Sequence, residues 1–498
     1  VQTLPSGHGS GLVLAPFRGV RYDPSRVSGL GDVTSPPYDV IGPGTLDELL
    51  AASPYNVVRL ILPGHSGLSL DARAAGAEAA RRLRSWLASG VLAVDGDPAL
   101  YVYEQRGPGF VQRGLIGLVA VGTAGVLPHE GVMPGPVTGR RELMMATQAN
   151  LEPIFLVYNG GAGGSDSSGV GGHGGPADPV AGASGTAGAA GGADLAQGLT
   201  PEQSSQTPGH ASETSRLVDL AADRRPPLFS TITGDGITHR IWPLTDPAEH
   251  AAIAADLAGR TALIADGHHR YAAYRELRAL MRGDGRRAGP WDYGLAFLVD
   301  GDAYPPRLGA IHRVIPHLAP AEAERLAGEA FTVEEVPGLA GGPGLAGAAA
   351  DGLPDGWPAD PEPALRRLAE AGGQGTAFLL AGRSGLRLLT QPDRRQLETA
   401  MPPGASARWR TLDAAVLQEL LLARLWSIKD NERDVLISHD AGEAVRMAVD
   451  AGGTAVVCNP MPFAAVKEVA AHGECVPRKS TSFGPKPRTG LVLRTFEP

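Results

Sequence analysis

The chain has 498 residues, enough for two to four domains at roughly 150 residues each, and 43% of it is apolar, enough to fill ordinary buried cores. Its formal charge of −9 argues against nucleic acid as the main partner, because neutralising phosphates takes a basic face. No stretch reaches the roughly 18 apolar residues of a membrane-spanning helix, so no membrane partner is expected. The first ten residues carry neither a charged start nor an apolar run and read as a dispensable leader, not a secretory signal. Cys458 and Cys475 could form at most one bridge and lack metal spacing, so inert or buried thiols in a reducing cytoplasm are expected.

In chain order, the first region spans residues 12–125 and mixes helix and strand. Pro36-Pro37 fixes a turn before Tyr38-Asp39-Val40-Ile41. Residues 56–62 read as a strand, 72–89 as a helix with Leu83 and Leu87 one turn apart, and 101–105 and 114–121 as strands. The middle region, 126–315, opens with Leu127-Pro128-His129-Glu130, followed by a helix over 140–149 and a strand over 153–158. Residues 159–212 hold Gly, Ala and Ser with almost no large apolar side chain, so disorder is expected there. A helix over 217–222, a strand over 239–244, a helix over 247–257 and a strand over 293–299 follow, and 311–315 closes the region. The last region, 316–498, starts with a Gly-, Ala- and Pro-rich stretch over 337–374 that reads as loop. Hairpin strands at 377–381 and 385–389, an apolar helix over 412–427, a strand at 454–458 and a helix over 462–471 complete it. The fold class is α/β, in the mixed α+β sense.

The densest chemistry lies at Asp266-Gly267-His268-His269-Arg270, between an apolar run at 261–265 and an amphipathic helical pattern from Tyr271. A strand that turns through Gly into a helix offers free N–H groups and the positive end of the helix dipole to an anion. Gly267 would bind phosphate oxygens through backbone N–H groups and Arg270 would neutralise them bidentately. Adjacent histidines point about 100° apart on a helix, so one metal ion is not expected to take both, and no zinc spacing is present. Asp266 is the metal candidate, holding Mg²⁺ through water. A second cluster, Lys479-Ser480-Thr481-Ser482-Phe483-Gly484-Pro485-Lys486, carries two of the only four lysines in the chain. Lysine is a compact charge suited to phosphate, which makes Lys479, Ser480, Thr481 and Lys486 binding candidates. Phosphoryl transfer needs positioning, charge neutralisation and a carboxylate beside the acceptor hydroxyl. Glu130, at the end of a strand, is the candidate base, and Arg313, beyond a later strand, is a further phosphate-binding candidate.

Taken together, PFRGVRYDP at 16–24, PPYDVI at 36–41, SPYNVVRLILP at 53–63, YVYEQ at 101–105, LPHE at 127–130, ANLEPIFLVY at 149–158, ADGHHRY at 265–271, HRV at 312–314 and KSTSFGPK at 479–486 resemble the family called domain of unknown function 1015. The order of His-Glu, helix, Pro-Ile strand and Asp-Gly-His-His-Arg helix resembles the ParB/sulfiredoxin superfamily, and within it the free serine kinases. That resemblance implies a ParB/sulfiredoxin-like core at 126–315 flanked by N- and C-terminal α/β regions. It implies Glu130 as base, and Asp266, Gly267, His269 and Arg270 around the phosphates. The Gly-rich insertion and the long flanks depart from it.

The leading expectation is therefore a small-molecule kinase that moves phosphate from ADP or ATP, with Mg²⁺, to a hydroxyl acceptor such as free serine. Glu130, Asp266 and His268 would carry the chemistry. The alternatives are a nucleotide-binding switch without turnover, for which a carboxylate over the phosphate is superfluous, and a phosphatase or other hydrolase using His268 or His269.

Overall fold

The structure, a computed structural model, describes residues 11–65, 71–161, 212–336 and 357–496 apart from 284, 286, 359, 384 and 432. The expected leader at 1–10, most of the expected disorder at 159–212 and residues 337–356 of the expected loop lie outside the described residues.

The chain is mixed α/β and builds two main sheets. The larger has nine strands, and eight of them run in the order Val126–Leu127, Ala262–Asp266, Ile154–Tyr158, Tyr293–Asp300, Phe110–Ala120, Leu100–Gly107, Thr238–Leu244 and Phe229–Ile232. Leu14–Ala15 adds beside Phe110–Ala120. Strands from 100–107 and 110–120 thus share one sheet with strands from 154–158, 262–266 and 293–300, so the boundary at 125/126 falls inside a sheet. Successive side chains alternate between the faces. Ile154, Leu156 and Tyr158 join the core that holds Tyr271, Tyr274 and Leu277 of the His268–Gly283 helix. Phe155 and Val157 face the opposite core, shared with Phe378, Leu417, Phe483 and Leu491 from the C-terminal part. Burial on both faces explains why these strands read as unbroken apolar runs.

The second sheet is antiparallel throughout, in the order Thr332–Glu335, Gly385–Thr390, Ala377–Gly382, Thr454–Cys458, His312–Ile315 and Leu436–Ser438. Its one face packs on helices Glu362–Gly372 and Ala441–Ala451, its other on the helical stretch from Asp413 to Leu425. The hairpin expected at 377–389 is present. The expected apolar helix over 412–427 is helical but, over Val416–Leu425, wound with the wider π pattern.

Three expectations need correction. Residues 56–62 are not a strand: Val58–Ile61 is a short helix, started by Asn56, whose Oδ1 accepts the Val58 N–H at 2.9 Å while its amide donates to the carbonyls of Asp32 and Thr34. A short run that is buried apart from half-buried Arg59 and Leu62 carries no periodicity that separates the two states. The expected loop over 337–374 contains the helix Glu362–Gly372, whose Ala364 and Leu368 are buried. Residues 312–315 do not close the middle region but pair with 436–438 and 454–456 in the second sheet. Both thiols are free, Cys458 half-buried and Cys475 exposed.

Candidate functional site

The 262–266 strand ends on a bulge between Ile264 and Asp266, which re-aims its last residue. Gly267 follows with φ at +93°, a left-handed conformation that suits glycine. A Cβ there would also lie 3.0 Å from Ile154 and about as close to the Arg270 guanidinium. The helix then runs from His268 to Gly283. Its first N–H groups have no partner within the helix, so its positive end opens at this turn.

The acids and bases of the turn are bound into one cluster. Arg270 is buried, and its guanidinium donates to Asp266 and to the carbonyl of Pro153. Lys486 arrives from the C-terminal segment and places its ammonium 2.6 Å from Asp266 Oδ1 and 2.9 Å from Asp39 Oδ2. Burial, with Asp39 nearby, pushes the Asp266 carboxyl up. Burial also opposes the charge of Asp39, but Lys486 and Arg270 outweigh it and bring that carboxyl to about 2. The Asp39 loop is itself fixed: the Tyr38 N–H donates to Glu152, Arg140 reaches Glu152 at 3.4 Å, and the Arg140 guanidinium covers the Tyr38 ring.

On the other side of the turn lies Glu130, three residues past the 126–127 strand that pairs in parallel with 262–263. Its Oε1 accepts the Lys479 N–H at 3.2 Å, and its Oε2 lies 4.0 Å from His268 Nδ1. His268 Nε2 accepts the His129 N–H at 3.4 Å, which leaves its proton on Nδ1, facing Glu130. His129 bonds Thr481 at 2.9 Å and meets the His268 ring edge to face. His269 Nε2 accepts the Met133 N–H. Burial, then the positive charge of His269, Lys479, Arg270 and Lys486, holds His268 down at about 3. Burial and His268 do the same to His129. Both imidazoles are therefore neutral near neutrality. The Lys479 ammonium faces no carboxylate within ion-pair distance among the described residues.

Glu130, Asp266, Gly267, His268, His269, Arg270, Lys479, Thr481 and Lys486 thus come together, and Lys486 links the C-terminal segment to the Asp266 turn directly. Arg313 stands one step back: it is buried and holds the carbonyls of Ile311, Arg478 and Lys479, so it positions the lysine segment. Ser480 spends its hydroxyl on the Pro477 carbonyl. Sequence reasoning missed Asp39, Tyr38, Arg140, Glu152 and His129 as parts of the site. Asp39 had a signal in the proline-fixed turn before it, whereas Arg140 and Glu152 sit in a helical pattern and before a strand with nothing to mark them.

Asp266 does not fit direct metal ligation in this arrangement. Both of its oxygens already face cations, and a divalent ion there would sit against Lys486 and Arg270. Among the described residues no group of three or more His, Cys, Asp or Glu side chains is arranged to hold a metal ion.

Residues 14–167 and 207–415 match the family described as protein of unknown function (DUF1015), and the chain belongs to that family. No curated protein matches. Among solved structures the chain is similar to free serine kinase variants, one in complex with ADP at 11% identity and TM-score 0.29, another in complex with AMP at 12% and 0.30. A free serine kinase in complex with AMP is similar at 14% and 0.29. Each likeness covers 72% of this chain and 84% of the other. Likeness this low carries no argument about activity. No helix among the described residues is long and apolar enough to cross a membrane.

Proposed function

We propose that the chain is a small-molecule phosphotransferase that takes its phosphoryl group from a nucleotide such as ADP or ATP and gives it to a hydroxylated metabolite, free serine being the first to try. One observation carries this reading: Glu130 and the two lysines of the C-terminal segment converge on the open N-terminus of the 268–283 helix. The helix N–H groups and Lys479 offer compensation to phosphate oxygens. Glu130, accepting only one backbone N–H, is the carboxylate free to take the proton of an acceptor hydroxyl. That oxygen then attacks the terminal phosphorus, and the bond to the nucleotide breaks as its oxygen leaves. His268, neutral and directed at Glu130 by His129, would hold the carboxylate in place. Arg270 holds Asp266 and the Pro153 carbonyl through its terminal nitrogens and leaves Nε without a partner, so its part is to stiffen the turn and to supply charge from beneath. Mg²⁺ is given no step here: both Asp266 oxygens face Arg270 and Lys486, which closes direct ligation.

The test is calorimetric titration with ADP and ATP, followed by transfer of labelled phosphate to serine and other hydroxyl acceptors. Lys479→Ala should weaken nucleotide binding roughly tenfold, the loss of one charged contact. Glu130→Gln should keep nucleotide affinity and lose transfer. Failure of the wild type to bind either nucleotide would end this reading and the switch reading together. Label appearing in water and not in an acceptor would favour a hydrolase.

A further inference from the structure

A cavity of about 590 Å³ lies apart from the turn, against the second sheet. Its walls are mainly apolar, with Phe378, Leu412, Leu417 and Met461 among them. Of the 479–486 segment only Ser480 reaches it. Four charged side chains also line it: Arg408 and Glu468, which pair at 3.6 Å, and Arg313 and Asp413. Arg313 and Asp413 do not pair with each other. Arg313 is buried, spends its terminal nitrogens on carbonyl oxygens and has no partner for Nε. No carboxylate compensates it within ion-pair distance among the described residues. Asp413 has the Thr376 hydroxyl as a partner and no cation within ion-pair distance among the described residues, and burial raises its carboxyl to about 6. The Cys458 thiol, between strand and cavity, is pushed up to about 12 by burial while feeling both Arg313 and Asp413, which places the two charges near one stretch of wall.

Uncompensated buried charges are costly. Arg313, buried, and Asp413, half-buried, could have neutralised each other, yet stay unpaired on one cavity of ligand size, which leaves room for a molecule that carries both complements. We infer that this cavity is a binding site for a zwitterionic, largely apolar small molecule, its amine facing Asp413 and its carboxylate facing Arg313. Free serine would leave most of the apolar wall uncovered, so the ligand class is an amino acid with a large apolar side chain or a compound shaped like one. The inference stands whether or not the helix turn binds a nucleotide.

The experiment is calorimetric titration of the full chain at pH 7.5 with L-phenylalanine, with phenethylamine, which lacks the carboxylate, and with 3-phenylpropanoate, which lacks the amine. L-phenylalanine should bind, and each single-charge analogue should bind roughly 10- to 100-fold more weakly, the loss of one charged contact. Asp413→Asn should weaken L-phenylalanine by a similar factor and leave 3-phenylpropanoate unchanged, with nucleotide titration unaltered. Absence of L-phenylalanine binding to the wild type, or equal affinity for the three compounds, would overturn the inference. So would an Asp413→Asn variant that binds L-phenylalanine as the wild type does. If that variant fails to fold, the analogue series on the wild type decides alone.

Discussion

The helix turn at Asp266 and the cavity at Asp413 solve the same problem, ionised groups away from water, in opposite ways. At the turn every carboxylate has a cation or a donor: Asp266 and Asp39 share Lys486, Arg270 closes on Asp266, and Glu130 accepts from Lys479. Within the cavity the charges of Arg313 and Asp413 stay apart and uncompensated. A self-compensated site holds its shape without ligand and admits an anion only at its open side, where Lys479 is. An uncompensated one gains most when a ligand arrives. The difference separates a turn whose charges hold one another in place from a cavity whose charges are left open.

The largest expected effect that sharpens this contrast is acid instability centred on the turn. His129 and His268 sit at about 3, His239 and His312 at about 4, all below the ordinary 6.5 because burial disfavours their charged forms. An unfolded chain binds protons at these positions near pH 6.5 and the folded one does not, so stability is complete above that pH and falls as the pH drops toward the folded values. Each histidine contributes up to about 1.4 kcal/mol per pH unit in that window. Asp413, raised to about 6, has the opposite sign: its contribution is present below 3.8 and lost as the pH rises through 6. Hydrogen exchange at pH 5 against pH 7.5 should therefore show the 126–133 and 262–270 segments loosening first. Loosening that begins in 413–425 would break the contrast.

Next comes turnover. Glu130→Gln should lower phosphoryl transfer by roughly 10²- to 10⁴-fold, the usual range for a lost general base, as read by labelled transfer. Unchanged turnover removes Glu130 from the chemistry.

Stability changes of opposite sign should follow from removing one charge at each place. Lys486→Met leaves Asp39 and Asp266 facing each other, which should cost about 3 kcal/mol, toward the low end for a broken buried pair because Lys486 keeps 19% exposure. Asp413→Asn removes an uncompensated carboxylate and should stabilise the fold by about 1–2 kcal/mol at pH 7.5, with the Thr376 contact kept. Urea unfolding of both variants reads the two signs; like signs would show that the cavity is compensated after all.

The smallest effect concerns the turn alone. Gly267→Ala should cost about 1–2 kcal/mol, from the left-handed φ and the 3.0 Å approach to Ile154. A Tm equal to that of the wild type would mean the turn relaxes freely.

By itself the sequence determined the apolar strands at 101–105, 114–121, 153–158 and 293–299, the helices whose apolar faces repeat every turn, and the Gly267 turn with its acid, histidines and arginine. These are local properties: alternation, helical period and a glycine where a strand must become a helix. Only the tertiary structure decided that 56–62 is helix, since a run buried apart from half-buried Arg59 and Leu62 loses its period, and that 312–315 leaves the middle region for the second sheet. It alone decided that Lys486 ends on Asp266 and Asp39, that Arg313 serves the lysine segment from behind, and that Arg313 and Asp413 share a cavity without pairing. Such contacts join residues hundreds of positions apart. They are set by how two sheets share one core, which no local pattern in the chain encodes.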